Sequence, residues 1–479
     1  MYHSTRGLNK IYASEAIIKG LADDKGLYVI DNIEKLELKK EDTILTYPEI
    51  CKKVFKVFLD DFTDEEIDEA VSVYNTTNFP YGFTKYRGTT DYCFLYLTLG
   101  PTFAFKDMAL QALPKLIEIS KRKHNNTKKT VVLTATSGDT GSAAMAGFSK
   151  NETNSIIVLY PNNGCSELQE AQMLSFTNDH SYAFAVNGNF DDCQRMVKKI
   201  FNEYKNDSID LVSANSINIG RLIPQVAYYY ASYLKLVDDD LILFGEKINI
   251  VVPTGNFGNI LAAITAQKMG LPVNKIICAS NENNILTDFF KTGVYDANRE
   301  FKTTNSPAMD ILISSNLERF LYLIYKDVNK IKALEEELET THKFSIPKED
   351  ITKAFPNIIA GFASESETVE AIKSSYKLNK ILIDPHTAVG FKVLEDNKNL
   401  DNCFTVVVAT ASPYKFSSTI CKALEISADT EENRINKIYA KTGVKIDPRI
   451  NNYLSNKASK TVIDLDKVYE KVTGILDNE

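Results

Sequence analysis

Lys106 stands in the stretch Leu99-Gly100-Pro101-Thr102-Phe103-Ala104-Phe105-Lys106-Asp107. Gly100 and Pro101 interrupt any regular element before it. Phe105, Met108, Ala109, Ala112, Leu113 and Leu116 then recur at helical spacing, so Lys106 is expected in the first turn of a helix. Pro114 lies within that span and predicts a kink or a break. Phe103, Phe105 and Met108 flank the lysine. Burial among such groups disfavours the ammonium form. A neutral amine can form a Schiff base with an aldehyde. The structural alternative is a surface lysine paired with Asp107 or another carboxylate.

Four further loops carry groups that could bind or polarise a ligand. Pro253-Thr254-Gly255-Asn256-Phe257-Gly258-Asn259 lies between a strand and a helix. Its glycines would let the backbone approach an anion, and the helix start offers free N–H groups and a positive dipole end. It lacks the Lys-Ser/Thr of a P-loop and the spacing of a dinucleotide loop, so it suits one phosphate monoester. Thr136-Ser137-Gly138-Asp139-Thr140-Gly141 has the same setting, with hydroxyls and N–H groups for a carboxylate. Asn215-Ser216-Ile217-Asn218-Ile219-Gly220-Arg221 places hydrogen-bonding side chains and a guanidinium at a helix start, suited to a phosphate. Thr410-Ala411-Ser412-Pro413 follows an apolar strand, and a hydroxyl there is a neutral partner for a pyridine nitrogen. Each has a plain structural alternative: a tight turn, an N-cap, a capped helix with a surface arginine, a turn before the last helix. Taken together, an amine, a phosphate cradle, a carboxylate loop and a strand-end hydroxyl are what pyridoxal phosphate requires.

These loops need strands and helices to hold them. From residue 130 onward the pattern alternates. Strands are expected at 130–135, 155–160 and 182–186, and helices at 141–149, from Ser166 with Gln169 as a capping box, and at 190–204. A second run follows a helical segment at 221–236, with strands at 247–252, 275–279, 380–383 and 404–409 and a helix at 260–269. Residues 316–342 read as strongly helical. Such alternation predicts parallel sheets covered on both faces, with ligands at the carboxyl ends of the strands. The first 90 residues read as mostly helical, with amphipathic spacing at 15–21 and 47–59, a short strand at 26–30 and two strands around Gly88-Thr89-Thr90-Asp91. The expected divisions are a mostly helical N-terminal domain (1–95), a smaller α/β unit with the lysine (96–220), a larger α/β unit with a helical insertion (221–430) and a helical tail (431–479).

The chain has 479 residues, 44% of them hydrophobic and 25% charged, which matches a globular protein of two or three domains. A net charge of −8 argues against nucleic acid or an anionic membrane as the main partner. Seven cysteines without a C-x-x-C pair and five histidines without H-E-x-x-H indicate neither a disulfide framework nor a metal site. The start of the chain lacks an apolar core, and no apolar run approaches membrane-spanning length, so a cytoplasmic protein is expected.

The sequence resembles the threonine synthase family. The matching motifs begin with Ser4-Thr5-Arg6-Gly7, Gly20-Leu21 with Gly26-Leu27-Tyr28, Gly100-Pro101-Thr102 with Ala104-Phe105-Lys106-Asp107, and 135–141. They continue with Asn215-Ser216-Ile217-Asn218 plus Arg221, Gly255-Asn256-Phe257-Gly258-Asn259, the run 306–316, and Thr410-Ala411 with Pro413 and Lys415-Phe416. The run 306–316 is similar to the longer, fungal and enterobacterial type. The resemblance implies the tryptophan-synthase-β-like fold (fold type II), with two open parallel-sheet units and a mostly helical N-terminal domain. It implies pyridoxal 5'-phosphate as cofactor and conversion of O-phospho-L-homoserine and water to L-threonine and phosphate, by a monomer or homodimer. Lys106 would hold the cofactor and shuttle protons at Cα and Cβ. Gly255, Asn256, Phe257, Gly258 and Asn259 would cradle the cofactor phosphate, and Thr410 would meet the ring nitrogen. Ser137, Asp139 and Thr140 would lie by the substrate carboxylate and cofactor O3′, and Ser216, Asn218 and Arg221 by the substrate phosphate. Asp139 stands where many fold type II enzymes have Asn, and Ser412 where a His often follows the Thr-Ala pair. The alternative is a threonine-synthase-like phospho-lyase or dehydratase that releases 2-oxobutanoate. No metal is implied.

Overall fold

The computed structural model describes residues 1–150, 153–397, 400–456 and 458–479. In chain order the strands begin with the antiparallel pair β1 (His3–Ser4) and β2 (Tyr28–Val29), then β3 (Lys85–Gly88) and β4 (Tyr92–Tyr96). Next come β5 (Lys129–Ala135), β6 (Asn154–Pro161), β7 (Ser181–Asn187), β8 (Ile209–Val212), β9 (Ile248–Pro253) and β10 (Val273–Ser280). The short antiparallel pair β11 (Val294–Asp296) and β12 (Lys343–Ser345) precedes β13 (Ile358–Phe362), β14 (Thr405–Ala409) and β15 (Thr461–Asp464).

Two sheets dominate. One has six strands in the order β13-β10-β9-β14-β4-β3, parallel throughout except for the β3–β4 hairpin. The other has five parallel strands in the order β15-β7-β6-β5-β8. The central strands are apolar on both faces: every residue of β6, β9 and β14 is buried, as expected for parallel sheets roofed by helices. The Ile219–Asp238 helix is buried almost around its whole circumference, and four of its tyrosines (228, 229, 230 and 233) are in the core.

The sheets are interleaved in sequence, and this corrects two expected boundaries. β4 crosses the division at 95/96 and lies beside β14, with Thr405 opposite Tyr92 and Ala409 opposite Tyr96. The 431–479 segment is not wholly helical: β15 pairs with β7 and forms the edge of the five-stranded sheet. In both cases the strand's partner is remote in sequence, and local periodicity carries no sign of it. The expected strand at 380–383 joins no ladder: Ile381, Leu382 and Ile383 are buried and Lys380 is exposed, and the chain passes directly from the Glu365–Asn379 helix to the Pro385–Asp396 helix. The 316–342 span is two helices, Leu317–Tyr325 and Val328–Thr341, parted at Lys326 in the left-handed region. Pro114 ends up at the start of a helix, Leu113–Lys123, separated from the short Asp107–Leu110 helix; proline is tolerated in that first turn.

All five chemistry-bearing loops leave the carboxyl ends of strands. β4 leads to Lys106, β5 to Ser137–Thr140, β8 to Ser216, β9 to Gly255–Asn259 and β14 to Thr410. The crevice between the two sheets is where such folds bind ligands. One glycine fixes a key approach: a Cβ at Gly147 would collide with the Leu110 carbonyl oxygen. The Asp139–Phe148 helix therefore lies directly on the Asp107–Leu110 helix, and Asp139 is brought to Lys106.

Candidate active site

Lys106 caps the Asp107–Leu110 helix rather than sitting inside it. The loop before it turns through Phe103, which has φ of +60°. Thr102 donates its N–H and hydroxyl to the two oxygens of Asp107, at 2.8 and 2.7 Å. Asp107 is fully buried in that exchange, so it is not the partner of Lys106. Phe105 N–H donates to Thr410 O at 2.8 Å, and Ser412 N–H to Phe103 O at 2.9 Å, stitching the loop to the end of β14. The Lys106 side chain is only 13% exposed, and its Nζ lies 4.0 Å from Asp139 Oδ2. It makes no hydrogen bond among the described residues. Burial lowers its pKa to about 8; Asp139 acts against that, and Arg221 and Lys415 act with it. The surface alternative for this lysine is thereby set aside.

Asp139 is buried at the first turn of its helix, where the dipole favours a negative charge. Its Oδ1 accepts from Lys415 Nζ at 2.6 Å and from Gln169 Nε2 at 2.8 Å. Burial opposes its ionisation, but Lys415, Lys106 and His386 outweigh this and hold the carboxyl well below the usual range. In the loop before it, Thr136 Oγ1 accepts from the N–H groups of Gly138 and Gly141 at 3.0 and 2.8 Å. The hydroxyls of Ser137 and Thr140 and the N–H groups of Ser137, Asp139 and Thr140 bond to no described residue, so this loop can receive an anion.

The Gly255–Asn259 loop is built differently from expectation. The left-handed residue is Phe257, with φ of +63°, not either glycine. A Cβ at Gly255 would lie 2.8 Å from Ala308 O and 3.2 Å from Met309 Cα, so this glycine admits the 306–316 segment that straps the loop. A Cβ at Gly258 would find its nearest neighbour, Asn316 Nδ2, at an ordinary 3.6 Å. Ser314 Oγ donates to Gly255 O at 2.6 Å, and Asn316 donates both its backbone N–H and its Nδ2 to Asn256 O at 3.1 Å. The Asn259 side chain turns away: its Oδ1 accepts from the hydroxyls of Tyr228 and Tyr229, and its Nδ2 is buried without a partner. The backbone N–H groups from Gly255 to Ile260 donate to no described residue. The helix beginning at Gly258 has no side-chain cap, which leaves its amino end available to a phosphate.

Ser216, Asn218 and Arg221 have different fates. Ser216 approaches the cradle, its Oγ 3.3 Å from Asn316 Nδ2. Asn218 is engaged as a cap, with Oδ1 accepting from Gly220 N–H at 2.8 Å and Nδ2 donating to Ile17 O at 3.0 Å. That sets its side chain in the structure of the helix start and apart from the anion role expected of it. Arg221 is 3% exposed and donates Nη1 to Ala214 O at 2.7 Å; its Nε has no partner. No carboxylate faces it among the described residues, and burial lowers its pKa to about 10. A buried guanidinium with an orphaned donor is a site for an anion. Thr410 is nearly buried, and its hydroxyl bonds to no described residue.

Sequence reasoning did not assign roles to Lys415, Gln169, Asp384 or His386. Lys415 stood in a matching motif, and Gln169 was seen only as a helix cap, which it also is. Asp384 Oδ1 accepts from His386 Nδ1 at 2.8 Å, and His386 Nε2 accepts from Ala308 N–H at 3.2 Å; these bonds assign the proton to Nδ1. His386 thereby supports the strap over the cradle. Capped helix starts read the same whether or not they are functional, and no local pattern marks these pairings.

A phosphorylated aldehyde fits this donor set: a buried amine without a hydrogen bond, free N–H groups at a helix start, and a guanidinium whose Nε has no partner and which no described carboxylate faces. A family model for the pyridoxal-phosphate dependent enzymes matches residues 82–411, and models for the threonine synthase N terminus and C-terminal region match 1–73 and 387–444. Human threonine synthase-like 1 is 38% identical over 441 residues, covering 88% of this chain and 59% of that protein. This chain thus spans about three-fifths of the length of the first curated relatives it matches. Threonine synthase of Schizosaccharomyces pombe is 36% identical over 473 residues, covering 90% of this chain and 91% of that protein. The crystal structure of threonine synthase from yeast superposes with a TM-score of 0.89 at 31% identity, over 100% of this chain and 99% of that one. The pyridoxal-phosphate-bound threonine synthase of Brucella melitensis gives 0.87 at 31%, over 99% of both chains.

Proposed function

Because the chain belongs to the threonine synthase family of pyridoxal-phosphate dependent enzymes, we propose that it converts O-phospho-L-homoserine and water to L-threonine and phosphate. The observation that carries this reading is the Lys106 amine, buried and without a hydrogen bond, 4.0 Å from Asp139 and stitched to Thr410 through Phe105.

When bound, pyridoxal phosphate supplies an aldehyde for an amine and a sink for electrons left at carbon. Lys106 would hold it, with its phosphate on the free N–H groups of Gly255–Asn259 at the start of the Gly258–Lys268 helix. The Thr410 hydroxyl would face the pyridine nitrogen; it can only hydrogen-bond there and leaves that nitrogen largely neutral. Asp139 would stand by O3′. Ser137 and Thr140, with the N–H groups of their loop, orient the substrate carboxylate. Arg221, with Ser216 beside the cradle, binds the substrate phosphate, and its isolated buried charge is the group that a leaving phosphate dianion would neutralise. Lys106 then takes one proton from Cα and one from Cβ, phosphate leaves from Cγ, and the amine returns one proton to Cγ and, once water has added its oxygen at Cβ, one to Cα; its pKa of about 8 suits these transfers near neutral pH. Burial excludes bulk water from these transfers.

The similarity to proteins named threonine synthase-like 1 supports a second reading, a phospho-lyase releasing 2-oxobutanoate from the same site. Incubation with O-phospho-L-homoserine separates the two: phosphate with equimolar threonine supports synthesis, and phosphate with 2-oxobutanoate overturns it. A cytoplasmic location and a monomeric or homodimeric state belong to the same proposal. Among the described residues no helix is long and apolar enough to cross a membrane.

A further inference from the structure

Two lysines face the Asp139 carboxylate, and the fold divides its oxygens between them. Oδ1 accepts from Lys415 at 2.6 Å and Gln169 at 2.8 Å, while Oδ2 is left toward Lys106 at 4.0 Å. Lys415 is completely buried, and its other acceptor is Thr102 O at 2.8 Å. Thr102 belongs to the loop that presents Lys106, and its N–H and hydroxyl hold Asp107. The Lys415 ammonium is therefore pinned between that loop and the carboxylate, with no route to water. Together the pair is electrically neutral, as an amide at the Asp139 position would be. The titratable groups acting on Lys106 are Asp139, Arg221 and Lys415; those acting on Asp139 are Lys415, Lys106 and His386. Asp107, next in the chain, also feels Lys415. Were Lys415 absent, Lys106 would be the cation best placed to close on Asp139, and a paired ammonium is no nucleophile.

We propose that Lys415 is a positioning residue for Lys106: by occupying the Asp139 carboxylate it holds the reacting amine at the outer edge of ion-pair range, out of hydrogen-bond contact with that carboxylate. The inference rests on Lys106 being the reacting amine. It reaches a residue that the cofactor and substrate need not touch.

The test reads Lys106 directly in the full chain freed of cofactor. A limited dose of acetic anhydride is applied as a function of pH, and acetylation of the Lys106 peptide is quantified by mass spectrometry. The unaltered chain is expected to show a midpoint near about 8. Lys415→Met and Lys415→Gln are expected to raise it by roughly one unit or more as Asp139 turns to Lys106, and Lys415→Arg to keep it close to the original. Lys415 also repels Lys106 directly, so the decisive comparison is the same Lys415→Met exchange in an Asp139→Asn background. There the rise should be clearly smaller, because no carboxylate is released. If Asp139→Asn alone fails to fold around an unpaired Lys415, the double exchange compared with Lys415→Met supplies the contrast: its midpoint should fall back. Equal shifts in both backgrounds, a double exchange that does not fall back, or an unmoved midpoint in a cooperatively melting Lys415→Met chain overturns the proposal. A chain in which Lys106 titrates as described but takes up no pyridoxal phosphate overturns the proposed function and leaves this inference standing.

Discussion

Phe105 donates its backbone N–H to the carbonyl oxygen of Thr410 at 2.8 Å. This bond joins the residue before Lys106 to the first residue beyond β14. The amine and the hydroxyl proposed for opposite ends of one cofactor are thus carried by a single stitched pair of loops, and each can be tested separately.

Lys106→Ala should reduce turnover by on the order of 10²–10⁴ or more and abolish the borohydride-stable link to the cofactor, read as a mass increment on the Lys106 peptide. In the unaltered chain, uptake of pyridoxal phosphate should quicken with rising pH and level off above about 8. The sign follows from burial: below that pH the amine carries a proton and cannot attack an aldehyde. An uptake rate that falls as pH rises through this range would exclude Lys106 as the acceptor.

Thr410→Ser keeps a hydroxyl and should change turnover little. Thr410→Asp places a carboxylate where the pyridine nitrogen is proposed to lie and favours its protonation. Threonine formation should drop about tenfold, the worth of one pK unit, with a larger share of 2-oxobutanoate. The ratio of the two products, measured on both variants, decides the matter.

The two cradle glycines should separate. Gly255→Ala drives a Cβ to within 2.8 Å of Ala308 O, so the strap must shift, costing roughly 1–3 kcal/mol and loosening the cofactor. Gly258→Ala meets only ordinary contacts and should leave the unliganded melting temperature nearly unchanged. Thermal melts of both chains, with and without cofactor, are the measurement.

Arg221→Met should leave the unliganded chain as stable as before or more so, by on the order of 1 kcal/mol, because a buried unpaired charge is removed. KM for the phosphorylated substrate should rise about tenfold or more, the loss of a hydrogen bond to a charged group. A variant that melts well below the original and binds substrate normally would make Arg221 a structural residue.

Much of the site was legible because its loops follow apolar strands and carry residue types with few other uses together. Ser137, Asp139, Thr140 and Gly255–Asn259 follow strands directly, where the alternation of strand and helix put them, and Lys106 stands at the helix start that the apolar spacing after Pro101 marked. What stayed hidden depends on partners far along the chain. Lys415 meets Thr102 across 313 residues, and no local period records that. The missing Cβ of Gly255 makes room for Ala308 and Met309 of a remote segment, while its N–H stays free of any described partner, and only the first of these depends on residues far along the chain. Asn218 carries an amide that either caps a helix or binds a ligand, and only the position of Ile17 O decides between them.

The Pro448–Ser455 helix reaches back to the lysine loop. Arg449 donates to the carbonyl oxygens of Gly100 and Leu99 at 3.1 and 3.3 Å, its guanidinium lies 4.7 Å from the centre of the Phe103 ring, and Tyr453 donates to Pro101 O at 2.9 Å. Arg449 and Gly100 are 349 residues apart. During synthesis, when domains fold in order from the amino terminus, the lysine emerges long before the residues that brace its loop. The loop that carries Lys106 therefore stays without this brace until residues 449 and 453 have been made, so its final shape belongs to a late stage of folding and not to the first emergence of the lysine.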